Sequence, residues 1–347
     1  MQNFRDAVSA RLLATLNEPP RFLPTDNPLR QEFLSPALSL ADSGKRTRAL
    51  LVAAGWEAAG ATDLPIIAGT AVELYQLSAL VHDDIIDAAT MRRGKPAAHY
   101  QFRTTHSDAD LTGDPTIFGD NTGLLLGDYL LSLAGVEMEN AESVSPAAFA
   151  RGRRIFHEMT LETAYGQYLD MRAEYTSLTQ DPAAAITDSF QVLRHKSARY
   201  SVDLPLQLGA ALAGADDAFL RQLAEIGLPL GEAFQLRDDE LGIFGEPEIT
   251  GKPAGGDIIE GKRTVLMGLT RQRATDSELQ FIDQALGREL SDAEIAKIRD
   301  IVHHSGAFAA HEKLITEREQ AAATALHELG DFPILQQLME HLAVRRA

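Results

Sequence analysis

Apolar residues recur along this chain at helical spacing, in one long segment after another, while strand-like alternation is scarce. That feature restricts the fold to packed helices. Residues 64–88 are the clearest case: Asp63 is placed to cap the segment, Pro65 falls in its first turn, and apolar positions continue to Ile86. The same period covers residues 46–60, 121–140, 146–175, 183–213 and 216–242, with more helix from residue 276 onward. The N-terminus reads as an amphipathic helix ending at Pro19-Pro20. Pro205 and Pro229 lie inside two of these patterns, where kinks are expected. Two segments rich in turn residues, 99–120 and 245–261, read as loops. Neither a low-complexity linker nor a helical-array repeat is visible, so a single all-α domain spanning residues 1–347 is expected.

Composition narrows the function. A hydrophobic share of 45% is ample for a large core, and a net charge of −18 repels nucleic-acid backbones, so no nucleic-acid partner is expected. Cys is absent, which excludes disulfides, thiolate catalysis and Cys-based metal sites and suits a reducing cytoplasm. The most apolar stretch, 124–133, is interrupted by Asp128, and no segment approaches the ~20 apolar residues of a membrane span. A soluble, cytoplasmic protein without an integral membrane segment is the expectation.

Two acidic clusters end apolar helices. In Val81-His82-Asp83-Asp84-Ile85-Ile86-Asp87, Asp83 and Asp87 share a helix face about 6 Å apart along the axis, with Asp84 beside them. Their charges repel one another and sit at the unfavourable end of the helix dipole, a conflict that a hard divalent cation would offset. The second cluster is Phe234-Gln235-Leu236-Arg237-Asp238-Asp239-Glu240-Leu241-Gly242. Together they suggest two helices presenting carboxylates across one cavity and gripping a diphosphate through shared metal. Basic islands accompany them: Gly44-Lys45-Arg46-Thr47-Arg48, Arg92-Arg93-Gly94, Lys196, Lys252 and Lys262. Singly, each is an ordinary surface charge; beside acidic clusters they fit a second diphosphate held directly by cations.

From Gly44 to Val265 these residues resemble the trans-isoprenyl diphosphate synthases, most of all geranylgeranyl diphosphate synthases. The matching elements are Gly44-Lys45-Arg46-x-Arg48, the run from Glu73 to Asp87, Arg92-Arg93-Gly94 with His99, and Gly127-Asp128. Gln167-x-x-Asp170, Lys196-Ser197, Phe234-Gln235-x-x-Asp238-Asp239, Gly251-Lys252 and Gly261-Lys262-Arg263 follow in the family's order. The resemblance implies an all-α bundle of about ten or more helices around a deep central cavity, a homodimer, and Mg2+-dependent head-to-tail condensation of isopentenyl diphosphate with an allylic diphosphate. It implies three Mg2+ per active site, bound by Asp83, Asp87 and Asp238 with Asp84 and Asp239 in support. Arg92, Lys196, Lys252 and Lys262 would grip the allylic diphosphate; Lys45, Arg48, Gln76 and Arg93 would hold isopentenyl diphosphate. Ser197 and Gln235 would turn oxygen dipoles toward the carbocation.

Gly242 departs from the pattern, standing where many members carry a third Asp; Asp257 is the candidate to compensate. Product length should depend on the helix below Asp83, where Ala79 and Ser78 are small and Tyr75 lies one turn deeper. A chain that grows past C15 and stops near Tyr75 gives mainly geranylgeranyl diphosphate (C20). The alternatives are a farnesyl or longer polyprenyl diphosphate synthase, or a non-catalytic subunit of a heteromeric synthase. A class I terpene cyclase would share the first cluster but has no use for Lys45, Arg48 and Arg93.

Overall fold

The computed structural model describes residues 1–18, 27–177, 181–245 and 255–343. The chain divides into two compact units, Met1–Arg153 with Leu208–Gly214, and Arg154–Gln207 with Ala215–Ala347. The expected all-α architecture is observed: the one sheet among the described residues is a two-stranded hairpin. No described helix is long and apolar enough to cross a membrane.

The first unit contains α1 (Gln2–Asn17), α2 (Pro28–Ala41), α3 (Thr47–Ala58) and α4 (Ile66–Ile86). The hairpin β1 (Met91–Arg92) and β2 (Lys95–Pro96) follows, then α5 (Ala98–Asp108) and α6 (Pro115–Met138). Helix α4 is apolar around nearly its whole circumference, with Ala68, Ala71, Val72 and Leu74 fully buried, and it packs against α1, α3 and α6. Its start differs from the expectation that Asp63 caps it. Pro65 occupies the cap position, and Asp63 instead accepts the Trp56 indole N–H at 3.2 Å. The free amides of the first turn, Ile67 and Ala68, donate to the Glu142 carboxylate at 2.9 and 3.2 Å. A carboxylate there also complements the helix dipole.

The expected loop at 99–120 is corrected. Its first half is α5, whose buried stripe of Ala98, His99, Phe102 and His106 has helical spacing and packs on α6. At the far end, Gly113-Asp114-Pro115 starts a helix rather than marking a loop. Asp114 accepts the Thr116 amide at 2.7 Å and Pro115 takes the first helical position, where its missing N–H costs nothing.

Helix α7 (Pro146–Glu174) enters the second unit at Arg154. There follow α8 (Pro182–Val192), a π-helical segment (Leu193–Asp203), α9 (Leu204–Leu212) and α10 (Asp217–Phe244). A short turn, α11 (Gly256–Ile259), precedes α12 (Val265–Arg273), α13 (Asp276–Ala285), α14 (Asp292–His304), α15 (Ala307–Leu329) and α16 (Pro333–Ala343). Helix α10 packs against the π segment and α15, and its last turns join a core of Ile243, Ile258, Leu266, Ile282 and Ile298. The kink expected at Pro205 takes the form of the π segment, which ends two residues before it. Pro205 cannot donate to the carbonyl four residues back and its ring crowds that carbonyl, so the wider hydrogen-bonding register relieves the conflict. Pro229 lies within α10, which continues through it. Of the second expected loop, residues 246–254 lie outside the described residues, and 256–259 form α11.

Candidate active site

In the first unit, Asp83 and Asp84 occupy the last turn of α4 and Asp87 is its C-cap. The hairpin that follows turns at Arg93-Gly94, both with positive φ (53° and 74°), as a two-residue turn matching strand twist requires. This turn returns Arg92 to the acidic group. Its Nε donates to Asp84 Oδ1 at 2.7 Å, and its Nη2 lies 3.2 Å from Asp83 Oδ2. Asp84 is fully buried and Arg92 nearly so. Burial alone would lower the Arg92 pKa, but the Asp84 charge and hydrogen bond, with Asp83 and Asp87, outweigh it and raise the value.

A cationic niche adjoins this pair. Arg46 caps α3 in the left-handed region and donates to Ser9 Oγ at 3.0 Å and to the Ser43 carbonyl at 3.1 Å. Arg93 donates to the Ser43 carbonyl at 2.8 Å. Buried Glu73 lies 3.8 Å from Arg46 and accepts the Ala49 amide at 3.2 Å. Burial lowers the Arg93 pKa, Glu73 opposes this, and Arg46, Arg92 and Arg48 reinforce it. Crowded cations of this kind gain from a bound polyanion. Lys45 is exposed, and Arg48 and Gln76 are half-buried.

Tyr75 and Ser78 are buried on α4 and Ala79 is half-buried. Ser78 Oγ donates to the Gly127 carbonyl of α6 at 2.8 Å, so it ties the two helices together. Gly127 also explains its own identity: a Cβ there would lie 2.1 Å from His82 Nε2. The His82 ring meets the Leu124 carbonyl at 3.2 Å.

In the second unit, α10 divides its polar residues between two directions. Gln235 Nε2 donates to Asp239 Oδ1 at 3.0 Å, while Asp238 is exposed. Arg237 instead pairs with Glu240 at 2.6 Å and with Glu312 of α15, a structural clamp. Burial pushes the Asp239 pKa well up; the Gln235 hydrogen bond and Lys262 oppose that, and the Asp257 and Asp238 charges add to it. A Cβ on Gly242 would lie 2.0 Å from Asp257 Oδ2, so the α11 carboxylate fills the space a side chain at 242 would need. Lys262 lies 2.7 Å from Glu260 and 3.8 Å from Asp257. Lys196 Nζ donates to Asp170 Oδ2 of α7 at 2.5 Å, and Ser197 beside it is half-buried. Lys252 lies outside the described residues.

The structure thus groups Asp83, Asp84, Asp87 and Arg92 in one unit, and Gln235, Asp238, Asp239 and Lys262 in the other. Asp170 lies against Lys196, Asp257 beside Asp239 and Lys262, and Glu73 beside Arg46; the sequence carries Asp170 and Glu73 only as members of matching motifs. Among the described residues, no three His or acidic side chains converge closely enough to chelate an ion alone. An open set of carboxylate oxygens of this sort suits Mg2+, which keeps water and shares its sphere with substrate phosphate.

The polyprenyl synthetase family model matches residues 30–303. Geranylgeranyl diphosphate synthase of Mycobacterium tuberculosis is 30% identical over 308 residues, covering 87% of this chain and 80% of that protein. Geranylfarnesyl diphosphate synthase of Aeropyrum pernix is 28% identical, covering 76% of this chain and 77% of that protein. Among solved structures, the Corynebacterium glutamicum geranylgeranyl pyrophosphate synthase, complexed with isoprenyl diphosphate and magnesium, superposes with a TM-score of 0.91. It is 33% identical and each chain is covered to 99%. By its motifs, its helical fold and these matches, the chain belongs to the polyprenyl synthetase family.

Proposed function

We propose that this prenyltransferase condenses isopentenyl diphosphate head-to-tail with allylic diphosphates in the presence of Mg2+, with geranylgeranyl diphosphate (C20) as its main product. The observation that carries this reading is the pairing of the acidic turn Asp83-Asp84-Asp87 with Arg92 and an adjoining niche of Arg46, Arg48 and Arg93. An acidic group for metal beside a cationic group for a polyanion fits a reaction between two diphosphates.

Asp83, Asp87 and Asp238 would hold Mg2+, three ions per active site, with Asp84 and Asp239 in support. When bound, Mg2+ neutralises the negative charge that develops on the departing diphosphate. Arg92, Lys196, Lys252 and Lys262 grip the allylic diphosphate and draw it away from its carbon. Lys45, Arg48, Gln76 and Arg93 seat isopentenyl diphosphate so that its double bond meets the cation. Ser197 and Gln235 direct oxygen dipoles at the positive charge, and the released diphosphate takes the final proton. In this reading residues 1–347 form one synthase domain. Tyr75 sets the product length, with Ser78 and Ala79 leaving room above it. The exposed apolar residues Ile117, Leu124, Leu125, Leu131 and Val136 on α6 support a homodimer, and the Cys-free composition supports a cytoplasmic setting.

The test is incubation of the purified chain with labelled isopentenyl diphosphate, an allylic diphosphate and Mg2+, followed by chromatography of the dephosphorylated products. Label in C20 alcohol, abolished by chelator, supports the reading. Lack of incorporation without a partner protein refutes it, and a different product length refutes the C20 assignment alone.

A further inference from the structure

The π segment that carries Lys196 and Ser197 is pressed from two sides by glycines. On α7, a Cβ added to Gly166 would lie 2.2 Å from the Lys196 amide nitrogen and 2.5 Å from the His195 carbonyl carbon. On α10, a Cβ added to Gly231 would lie 2.4 Å from the Ala198 carbonyl oxygen. Both contacts are with backbone, so no side-chain rotation relieves them. Elsewhere in the same unit the Gly268 contact is with the Ile186 side chain, which can move.

The reason for glycine at both places is geometric. A π-helix closes its hydrogen bonds five residues apart and is broader than an α-helix, so neighbours at ordinary helix spacing must give up their side chains where it widens. The two glycines also sit one turn from polar residues of the site, one of which meets this stretch directly. Gly166 lies four residues before Asp170, the acceptor for Lys196 Nζ at 2.5 Å, and Gly231 lies four residues before Gln235. The same face of α7 therefore seats the Lys196 backbone and orients its ammonium, and the same face of α10 seats Ala198 and presents Gln235.

We infer that Gly166 and Gly231 are positioning residues for Lys196, fixing the lateral placement of the widened turn that presents its ammonium to the allylic diphosphate. The inference rests on the proposed role of Lys196 in gripping that diphosphate. An alanine methyl at either position pushes the segment off its seat on α7 or α10 and so shifts Lys196, and the broad turn absorbs the shift without loss of the fold.

The experiment is a kinetic cycle of Gly166→Ala, Gly231→Ala and Lys196→Ala, singly and combined, with each diphosphate varied in turn. Each glycine variant is expected to fold and to lose about 10²-fold in kcat/KM for the allylic substrate. Its KM for isopentenyl diphosphate stays within about twofold of wild type. Combined with Lys196→Ala, neither glycine variant adds a further loss, because both act through the same ammonium. Gly227→Ala, whose Cβ would lie 2.8 Å from the Asp203 Cα at the end of the π segment, serves as a comparator; it lowers the melting temperature without this substrate bias. Wild-type allylic kinetics, equal losses for both substrates, multiplicative losses with Lys196→Ala, or failure of both glycine variants to fold each overturns the inference. If Lys196→Ala itself leaves allylic kinetics unchanged, the proposed role of Lys196 fails instead.

Discussion

Asp84 and Arg92 can be separated to measure what holds the acidic turn together. Asp84 is fully buried, Arg92 is 15% exposed, and Arg92 Nε lies 2.7 Å from Asp84 Oδ1, so Asp84→Ala strands a guanidinium in a poorly hydrated place. Breaking a buried pair by removing one partner costs about 3–5 kcal/mol. The lower end applies here because Asp83 remains 3.2 Å from Arg92 Nη2. A loss of about 3 kcal/mol corresponds to a fall in melting temperature of roughly 6–12 °C for a domain of this unit's size. Arg92→Met alone leaves the carboxylates uncompensated and also destabilises. The double variant Asp84→Ala/Arg92→Met leaves no stranded Arg92 charge and should recover at least about 2 kcal/mol relative to the sum of the singles. Chemical denaturation of the four proteins gives the coupling directly. Strict additivity would refute the argument that these two groups compensate each other in a buried setting.

Three further outcomes follow from other parts of the molecule. Tyr75→Ala should shift products beyond C20 in chain-length chromatography while costing about 3 kcal/mol for the emptied core; an unchanged product spectrum discards Tyr75 as the stop. Gly242→Ala, by meeting Asp257 Oδ2 at 2.0 Å, should displace α11 and raise the KM for the allylic diphosphate about tenfold; unaltered kinetics would detach Asp257 from the site. Burial pushes the His311 pKa down to about 4, against an unfolded value near 6.5, so the unfolded chain binds more protons in that window. Stability from this residue is therefore present above about pH 6.5 and falls by about 3 kcal/mol as pH drops toward 4. Asp203, raised to about 6 mainly by burial, works in the opposite direction, so the readout is wild type minus His311→Leu. A difference that does not change with pH across that window contradicts the assignment.

Much of the fold was legible because its central helices bury long, uninterrupted apolar faces; α4, α7 and α10 each lie within a few residues of their expected spans. Helix α5 was hidden because its buried stripe is built largely from His99 and His106 with a single Phe102, which reads as polar. The start of α4 was misread because its amides are satisfied by Glu142, 75 residues away in sequence, and no local signal reports such a partner. Pro205 announces an irregularity, but the sequence does not say that it takes the form of a π-helix with glycines of two other helices lying against it. At the site, Arg93-Gly94 foretold a tight turn, whereas the closure of Arg92 onto Asp84 needed the three-dimensional path of the hairpin. The exchange of a side chain at 242 for the carboxylate of Asp257 was suggested by the sequence and is accounted for by the space between them.

The central claim is that carboxylates from α4 and α10 serve one metal-dependent condensation, and single-turnover kinetics of Asp83→Asn, Asp238→Asn and the double variant test it most directly. Each single substitution should slow product formation by about 10³-fold or more, with the double variant little slower than the worse single, as expected of groups acting together. Near-wild-type turnover in either single variant, or losses that simply multiply, would contradict it.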